Sequence, residues 1–458
     1  MTLKRTLLGA FLVAALGAAA YGVNYANQVA SIGAGFMARD TCNEVFIAGR
    51  DVDDVLENDF QGYDDTLELV SVDVDLDTKT ARAGIGPLGR SKAIYRDGYG
   101  CTLSGPNFSA LPSMPPIVSR EWLVALPSDH GFDEDALNAA LDKVFENPTP
   151  NHRALAIFRH GKLAAERYAP GFDKNTPMLS FSMAKSVSGM MVGAAVEKGF
   201  FTLDDRPPID EWSAPDDPRR DITWRDLMQM QSGLEFQEEY LSPLADVPVM
   251  NILEDSAAAY AINKPLAHPP GTHWQYSTGT SNILQGALRV ALEQNDVDYH
   301  LFGRNEIFEP LGMSSAVFVP DRAGDFIGGS YLYATARDWA KLGQLHIQDG
   351  VWNGTRILPE GWSKFVSSPA SASRGYYGGQ IWLNLPRGDE KKKFFPTLPD
   401  STYWFSGWRG QIVAMVPSQD IVIVNLGRAS ATGDELKPFN AALELIIPTL
   451  RLEADESG

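Results

Sequence analysis

An α+β fold with one antiparallel sheet is predicted by three features of the sequence: a strand pair near residue 154, another near the C-terminus, and a mainly helical stretch between them. The first pair reads Ala154-Leu-Ala-Ile-Phe-Arg-His-Gly161-Lys-Leu-Ala-Ala-Glu-Arg-Tyr168, two strand-forming runs joined through a Gly-containing turn. The second consists of Gln411-Ile-Val-Ala-Met-Val416 and Ile421-Val-Ile-Val-Asn-Leu426 around Pro417-Ser-Gln-Asp420, with a helix from about Pro438 to Ile447 behind it. In the helical middle, Ser182 to Glu197 places Val187, Met190, Met191, Ala194 and Ala195 on one face before Gly199. Thr335-Ala-Arg-Asp338 has the form of a capping box and opens a helix over Trp339 to His346.

Ahead of this domain the chain starts with Lys4 and Arg5, followed by an uncharged apolar run from Leu7 to Val23 that contains Ala18-Ala-Ala20. That order describes a secretory signal, and at roughly 17 residues the run also reaches the lower limit for an uncleaved membrane anchor. Residues 1–23 are therefore read as a signal peptide or anchor, and the protein as exported and periplasmic, either released or held at the inner membrane. Residues 24–118 read as a small N-terminal accessory domain, in which Leu67 to Leu76 alternates apolar and polar like a half-buried strand. It closes on Leu111-Pro-Ser-Met-Pro-Pro-Ile117, an extended linker, and carries no recognisable chemistry. Its Cys42 and Cys101 are the only cysteines, and they either bridge in an oxidising compartment or lie as two buried thiols. Residues 119–450 form the main domain and 451–458 a tail, while Lys391-Lys-Lys393 reads as a solvated loop.

The chain has 458 residues, 44% of them apolar and 10% aromatic, enough for a large core and two to three domains. With 58 acidic against 39 basic residues the formal charge is -19, and no basic stripe offers phosphate contacts, which excludes nucleic acid as a partner. Neither Cys-x-x-Cys nor His-Glu-x-x-His occurs and the seven histidines are scattered, so no metal or cofactor is indicated.

Chemistry concentrates at Ser182-Met-Ala-Lys185, the one Ser-x-x-Lys in the chain, where an extended segment gives way to a helix. A serine there has backbone N–H groups and the positive end of the helix dipole available to a developing oxyanion. Lys185, three residues on, shares its helix face, and burial would lower the amine towards a proton-accepting form. The plainer alternative makes Ser182 a helix cap and Lys185 a surface charge. A second proton carrier is needed for the leaving group, and Tyr276 in Pro269-Pro-Gly-Thr-His-Trp-Gln-Tyr276-Ser-Thr278 is the candidate. Tyr25 and Tyr333 begin similar triplets, and the Tyr276 ring could equally be core packing.

Together with Ser180-Phe-Ser-Met-Ala-Lys-Ser186, Asp221 to Leu234 and Gly350 to Trp362, these stretches resemble the serine hydrolases related to β-lactamases and penicillin-binding proteins. Within that superfamily the likeness is to the class C-like branch of carboxylesterases and 6-aminohexanoate-dimer hydrolases, over roughly residues 150–450. The resemblance implies a β-lactamase/transpeptidase-like domain, with Ser182 as acylated nucleophile, Lys185 as its activator and Tyr276 as proton shuttle. No Lys-Thr-Gly is present, and Ser406-Gly-Trp408-Arg409-Gly410-Gln411 takes its place. By analogy the backbone N–H groups of Ser182 and Gln411 form the oxyanion hole, with Gly410 allowing close approach of substrate. Trp408 stands where relatives present a cation to a β-lactam carboxylate, which favours neutral esters or small amides. Arg409 is either a substrate-binding fork or an exposed strand residue, and Trp404, Phe405 and Trp408 either wall an acyl pocket or fill the core. The expected function is ester or small-amide hydrolysis through an acyl-serine. The alternatives are a cell-wall D-amino acid peptidase or β-lactamase, and a non-catalytic sensor on the same fold.

Overall fold

Apolar residues at successive strand positions require cover on both faces of the predicted sheet, and the helices of the chain supply it. In the computed structural model, which describes residues 2–60, 65–106, 108, 110–120, 130–146, 151–389, 391–429 and 433–451, the chain opens with one continuous helix, α1 (Thr2–Phe46), and then α2 (Val52–Asn58). A four-stranded antiparallel sheet follows in the order β1 (Ser71–Asp75), β2 (Thr80–Ile85), β3 (Leu88–Arg96), β4 (Gly100–Leu103). Ala34, Met37 and Ala38 of α1 share a small core with Ala81, Ala93 and Leu103 of this sheet, and a Cys42–Cys101 disulfide fastens β4 to α1.

The main domain runs from α3 (Glu134–Val144) through β5 (His152–Arg159), β6 (Lys162–Tyr168) and β7 (Met178–Leu179) into the central helix α4 (Met183–Glu197). Short helical turns and a long loop lead to α5 (Thr278–Glu293), β8 (Val317–Phe318), β9 (Leu332–Ala334) and α6 (Ala336–Ile347). A small hairpin of β10 (Val351–Trp352) and β11 (Thr355–Arg356) precedes β12 (Trp382–Leu383), β13 (Tyr403–Gly407), β14 (Gln411–Val416), β15 (Ile421–Gly427) and α7 (Lys437–Ile446). Strands β12-β13-β14-β15-β5-β6 form one six-stranded antiparallel sheet, so the two predicted hairpins meet where β15 pairs β5, Ile423 opposite Ile157. Ile412, Ala414, Ile421 and Ile423 pack under Leu141 of α3 and Phe439 and Leu443 of α7. Their neighbours Val413, Met415, Val422 and Val424 point to the opposite face and join Trp339 and Leu342 of α6 in the larger core.

Four expectations are revised. Every residue of α4 from Met183 to Ala195 is buried, so this is a helix covered all round rather than one with a single apolar face. Its hydroxyls are satisfied inside, Ser186 donating to Gln380 O (2.7 Å) and Ser188 to Gly328 O (2.9 Å). The predicted strand at Leu67 begins at Ser71, because Asp65–Leu69 is a 3-10 turn. The capping box at Thr335 is half formed: Thr335 accepts from Asp338 N, but Ser315 takes the Thr335 N–H and draws the Asp338 carboxylate to itself and Lys341. Helix α1 passes through the expected boundary at residue 23, and among the described residues no helix is long and apolar enough to cross a membrane. Lys391 and Lys392 are exposed, as a solvated loop requires, and residues 452–458 of the predicted tail lie outside the described residues.

Candidate active site

Two short strand pairings set the position of Ser182. Leu179 pairs with Tyr333 across β7 and β9, and Ser180 N donates to Leu332 O (2.9 Å). Phe181 then takes a left-handed backbone (φ 45°), sparsely populated for a non-glycine residue, and the chain turns into α4 with Ser182 at its N-cap. The Ser182 side chain makes no capping hydrogen bond, so the helix does not occupy its hydroxyl. Instead Lys185 Nζ donates to Ser182 Oγ at 2.9 Å, to Thr278 Oγ1 at 2.9 Å and to Gly329 O at 2.7 Å. Lys185 is 1% exposed, and burial lowers its ammonium from the ordinary lysine value to about 8, with the negative Glu238 pulling the other way. Lys185 is thus not a surface charge, and the Ser182 side chain does not cap its helix.

Tyr276 enters the same site from the segment before α5, whose first turn is capped by Ser277. Lys185 Nζ lies 5.0 Å from the centre of its ring, which packs against Trp382 (5.2 Å) and Tyr377 (5.9 Å). Burial and the charge of Glu238 push the Tyr276 hydroxyl up, while its interaction with the Ser182 side chain acts in the opposite direction. Of the rival tyrosines, Tyr333 is fully buried in its own cluster and Tyr25 lies on α1, 49% exposed, whereas it is Tyr276 that interacts with the Ser182 side chain.

Glu238 is a residue that sequence reasoning missed. Its carboxylate accepts the Thr278 N–H (2.7 Å), the Thr278 hydroxyl (2.5 Å) and the Tyr240 hydroxyl (2.6 Å). Because the single Thr278 proton goes to Glu238, Thr278 Oγ1 is left to accept from Lys185, giving a directed chain from Glu238 through Thr278 to Lys185 and Ser182.

The stretch that replaces Lys-Thr-Gly is placed differently from its prediction. A side-chain Cβ on Gly407, the last residue of β13, would lie 2.0 Å from Ser180 O, so Gly407 is the glycine whose bareness brings the strand end against the nucleophile segment. Trp408 follows it, edge-on to Phe181 (5.6 Å) and stacked on Tyr240 (5.5 Å), and lines the cavity that holds Ser182. Arg409 and Gly410 are both left-handed and turn the chain back into β14. Gly410 is a turn residue, with its carbonyl held by Asn425. The Gln411 side chain closes on Gly427, and with Arg409 the residue lines a cavity separate from the one that holds Ser182. Arg409 is neither exposed nor aimed at Ser182. It is 6% exposed, and its guanidinium donates to Ala429 O and Asp59 O. Trp404 and Phe405 are core, packed respectively against Phe395 and Trp339, which leaves Trp408 as the pocket aromatic of the three.

The cavity at Ser182 has a volume of about 150 Å3, and the N-terminal unit supplies one of its walls. Among the described residues the one charged side chain in its lining is Arg39, which donates to Asn251 O (2.8 Å) and lies over the Tyr331 ring (3.9 Å). Among the described residues no cluster of histidine, cysteine or carboxylate groups could hold a metal ion.

The family description "Beta-lactamase" matches residues 153–443, well over half of the chain, and spans every residue of the Lys185 network. The chain belongs to the beta-lactamase family. A 6-aminohexanoate-dimer hydrolase of Paenarthrobacter ureafaciens is 24% identical over 296 residues, 60% of this chain and 71% of that protein. Among solved structures, EstCE1, a hydrolase with promiscuous acyltransferase activity, superposes with a TM-score of 0.54 at 15% identity, covering 68% of this chain and 99% of its own. A penicillin-binding protein homologue from Caulobacter crescentus gives 0.54 at 14% identity, with 69% and 97% covered. Like other beta-lactamase-family hydrolases, the chain is an acyl-serine hydrolase of ester or amide bonds.

Proposed function

We propose that this beta-lactamase-family chain is a carboxylesterase or small-amide hydrolase with Ser182 as nucleophile. The observation that carries the reading is the buried Lys185 amine, 2.9 Å from Ser182 Oγ and lowered to about 8. In its neutral form Lys185 accepts the Ser182 proton as Oγ adds to the substrate carbonyl. The oxyanion is met by the Ser182 N–H at the start of α4 and, in place of Gln411, by the N–H of Trp408, a pair worth several kcal/mol in such sites. Tyr276 hands a proton to the departing alkoxide or amine as the tetrahedral intermediate collapses to acyl-Ser182. Water then attacks the acyl carbonyl, and the serine recovers its proton.

Trp408 beside Ser182 is neutral, which supports a neutral group on the substrate at that position rather than a β-lactam carboxylate; the Arg39 guanidinium, held by Asn251 O and the Tyr331 ring, lines another part of the cavity. Residues 1–23 support export, so that the enzyme works in the periplasm, and no nucleic-acid partner or cofactor is involved. A serine-directed fluorophosphonate should label the protein at Ser182, and Ser182→Ala should abolish labelling. Lys185→Ala and Tyr276→Phe should each lower kcat by at least about a hundredfold with the fold intact. Across p-nitrophenyl esters, a linear amide dimer and a chromogenic cephalosporin, turnover is expected on esters and none on the cephalosporin. An unlabelled serine would sink the enzymatic reading in favour of a binding protein, and cephalosporin turnover would sink the neutral-substrate reading.

A further inference from the structure

The N-terminal unit, which by sequence has no part in chemistry, forms a wall of the Ser182 cavity. Val29, Ile32, Gly33 and Phe36 of α1 all line it, and their spacing of three, one and three residues is that of a single helix face. Phe181, Trp408, Pro243, Val247 and Ile252 line the same cavity. Helix α1 is seated closely at this point: a side-chain Cβ on Gly35 would come within 2.4 Å of the Ile252 side chain. The α1 side of the lining therefore offers mainly carbon to a ligand, while polar groups enter at Thr66, Asn251 and Ser330, and among the described residues the charged lining side chain is Arg39.

The same helix face continues outward. Tyr25 and Tyr21 lie four and eight residues before Val29, so they extend the stripe beyond the cavity, and they are 49% and 72% exposed. The loop that contributes Tyr240, Leu241 and Pro243 to the lining also exposes Leu241 (40%) and Leu244. Large exposed apolar side chains grouped around one opening mark a surface that meets other apolar matter, and tyrosines with an apolar body and a polar tip suit a lipid–water boundary.

From this arrangement we infer that the acyl half of the substrate is an extended apolar chain lying along the Val29–Phe36 face of α1, and that it is delivered from a lipid phase past Tyr25 and the Leu241–Leu244 loop. The inference rests on the hydrolase reading given above and assigns the N-terminal helix the role of its specificity wall. Each methylene seated there should raise kcat/KM by about threefold until the cavity is filled.

The test uses the full chain with p-nitrophenyl acetate, butyrate, hexanoate and decanoate, the last presented both in detergent-free buffer and in phosphatidylcholine vesicles. The hexanoate-to-acetate ratio of kcat/KM is expected to be at least about tenfold, and Val29→Glu should reduce that ratio by at least about fivefold. Tyr25→Ser and Leu241→Ser, both at exposed positions, should lower the rate on vesicle-borne decanoate relative to soluble hexanoate by at least about threefold. Fluorophosphonate labelling of each variant reports that its Ser182 site is folded. A flat or falling chain-length profile in protein that labels, an unchanged ratio in labelled Val29→Glu, or indifference of both Tyr25→Ser and Leu241→Ser to vesicles would overturn the inference. Absence of labelling in the wild-type chain would remove the hydrolase reading itself, which separates the two failures.

Discussion

Lys185 is held between two opposing influences, burial that favours its neutral amine and a carboxylate, Glu238, that favours its ammonium. Lowered to about 8, it is the proton acceptor only once pH rises through that value, so kcat/KM on a neutral ester should climb with pH and level off above about 8. Glu238→Gln removes the anion that raises Lys185, and the inflection should move to lower pH by on the order of one unit. A profile of kcat/KM from pH 6 to 10 on both proteins checks this, and an alkaline shift in the variant would contradict it. Ser182, Lys185 and Tyr276 were legible because motif spacing along and before helices directs those side chains. Glu238 was not, since it sits on an irregular loop 40 residues from Thr278 and no periodicity connects the two. Arg409 was misplaced for a related reason: at a hairpin end, a turn of a few residues decides which side of the sheet a residue serves, and sequence spacing leaves that turn undetermined.

Among the elements, α4 and β13 set the reactive geometry between them. The sequence predicts α4 but presents it as a helix with one apolar face, because small residues such as Gly189 and Gly193 leave no apolar signal where they pack. Gly189 approaches Gln380 and Met228, and Gly193 approaches Trp362, so the far side of the helix is covered by contacts that only the tertiary fold supplies. Strand β13 reaches Ser180 because Gly407 has no side chain, and Gly407→Ala would set a methyl group 2.0 Å from the Ser180 carbonyl. Relief requires the strand end and the Trp408 N–H to shift away from Ser182. Ester kcat is expected to fall by at least about thirtyfold and stability by about 1–3 kcal/mol, read from steady-state kinetics and denaturant unfolding. Full activity in Gly407→Ala would show that β13 does not help to form the oxyanion site.

For the whole molecule, the question is why an accessory unit with its own small sheet is tied so closely to a catalytic domain. Composition and strand patterning separate the two units in the sequence, and the Cys42–Cys101 bridge follows from compartment and pairing. The unit's contribution to the site was not legible, because a wall of Val, Ile, Gly and Phe acts through shape and carries no motif. The bridge spans 59 residues from α1 to β4, and in the chain-entropy picture such a closure stabilises by about 4 kcal/mol. Loss of it should first loosen α1 where it is fastened to the small sheet, while the Lys185 network, built wholly from the main domain, keeps its hydrogen bonds. Reduction is therefore expected to lower the first calorimetric transition by about 5 °C or more, and Cys42→Ser should match the reduced protein and no longer respond to reductant. Fluorophosphonate labelling should persist below that transition. If alkylation shows complete reduction and the transition does not move, the bridge contributes no stability and α1 is held by packing alone, at Gly35 against Ile252 and through the small core around Met37.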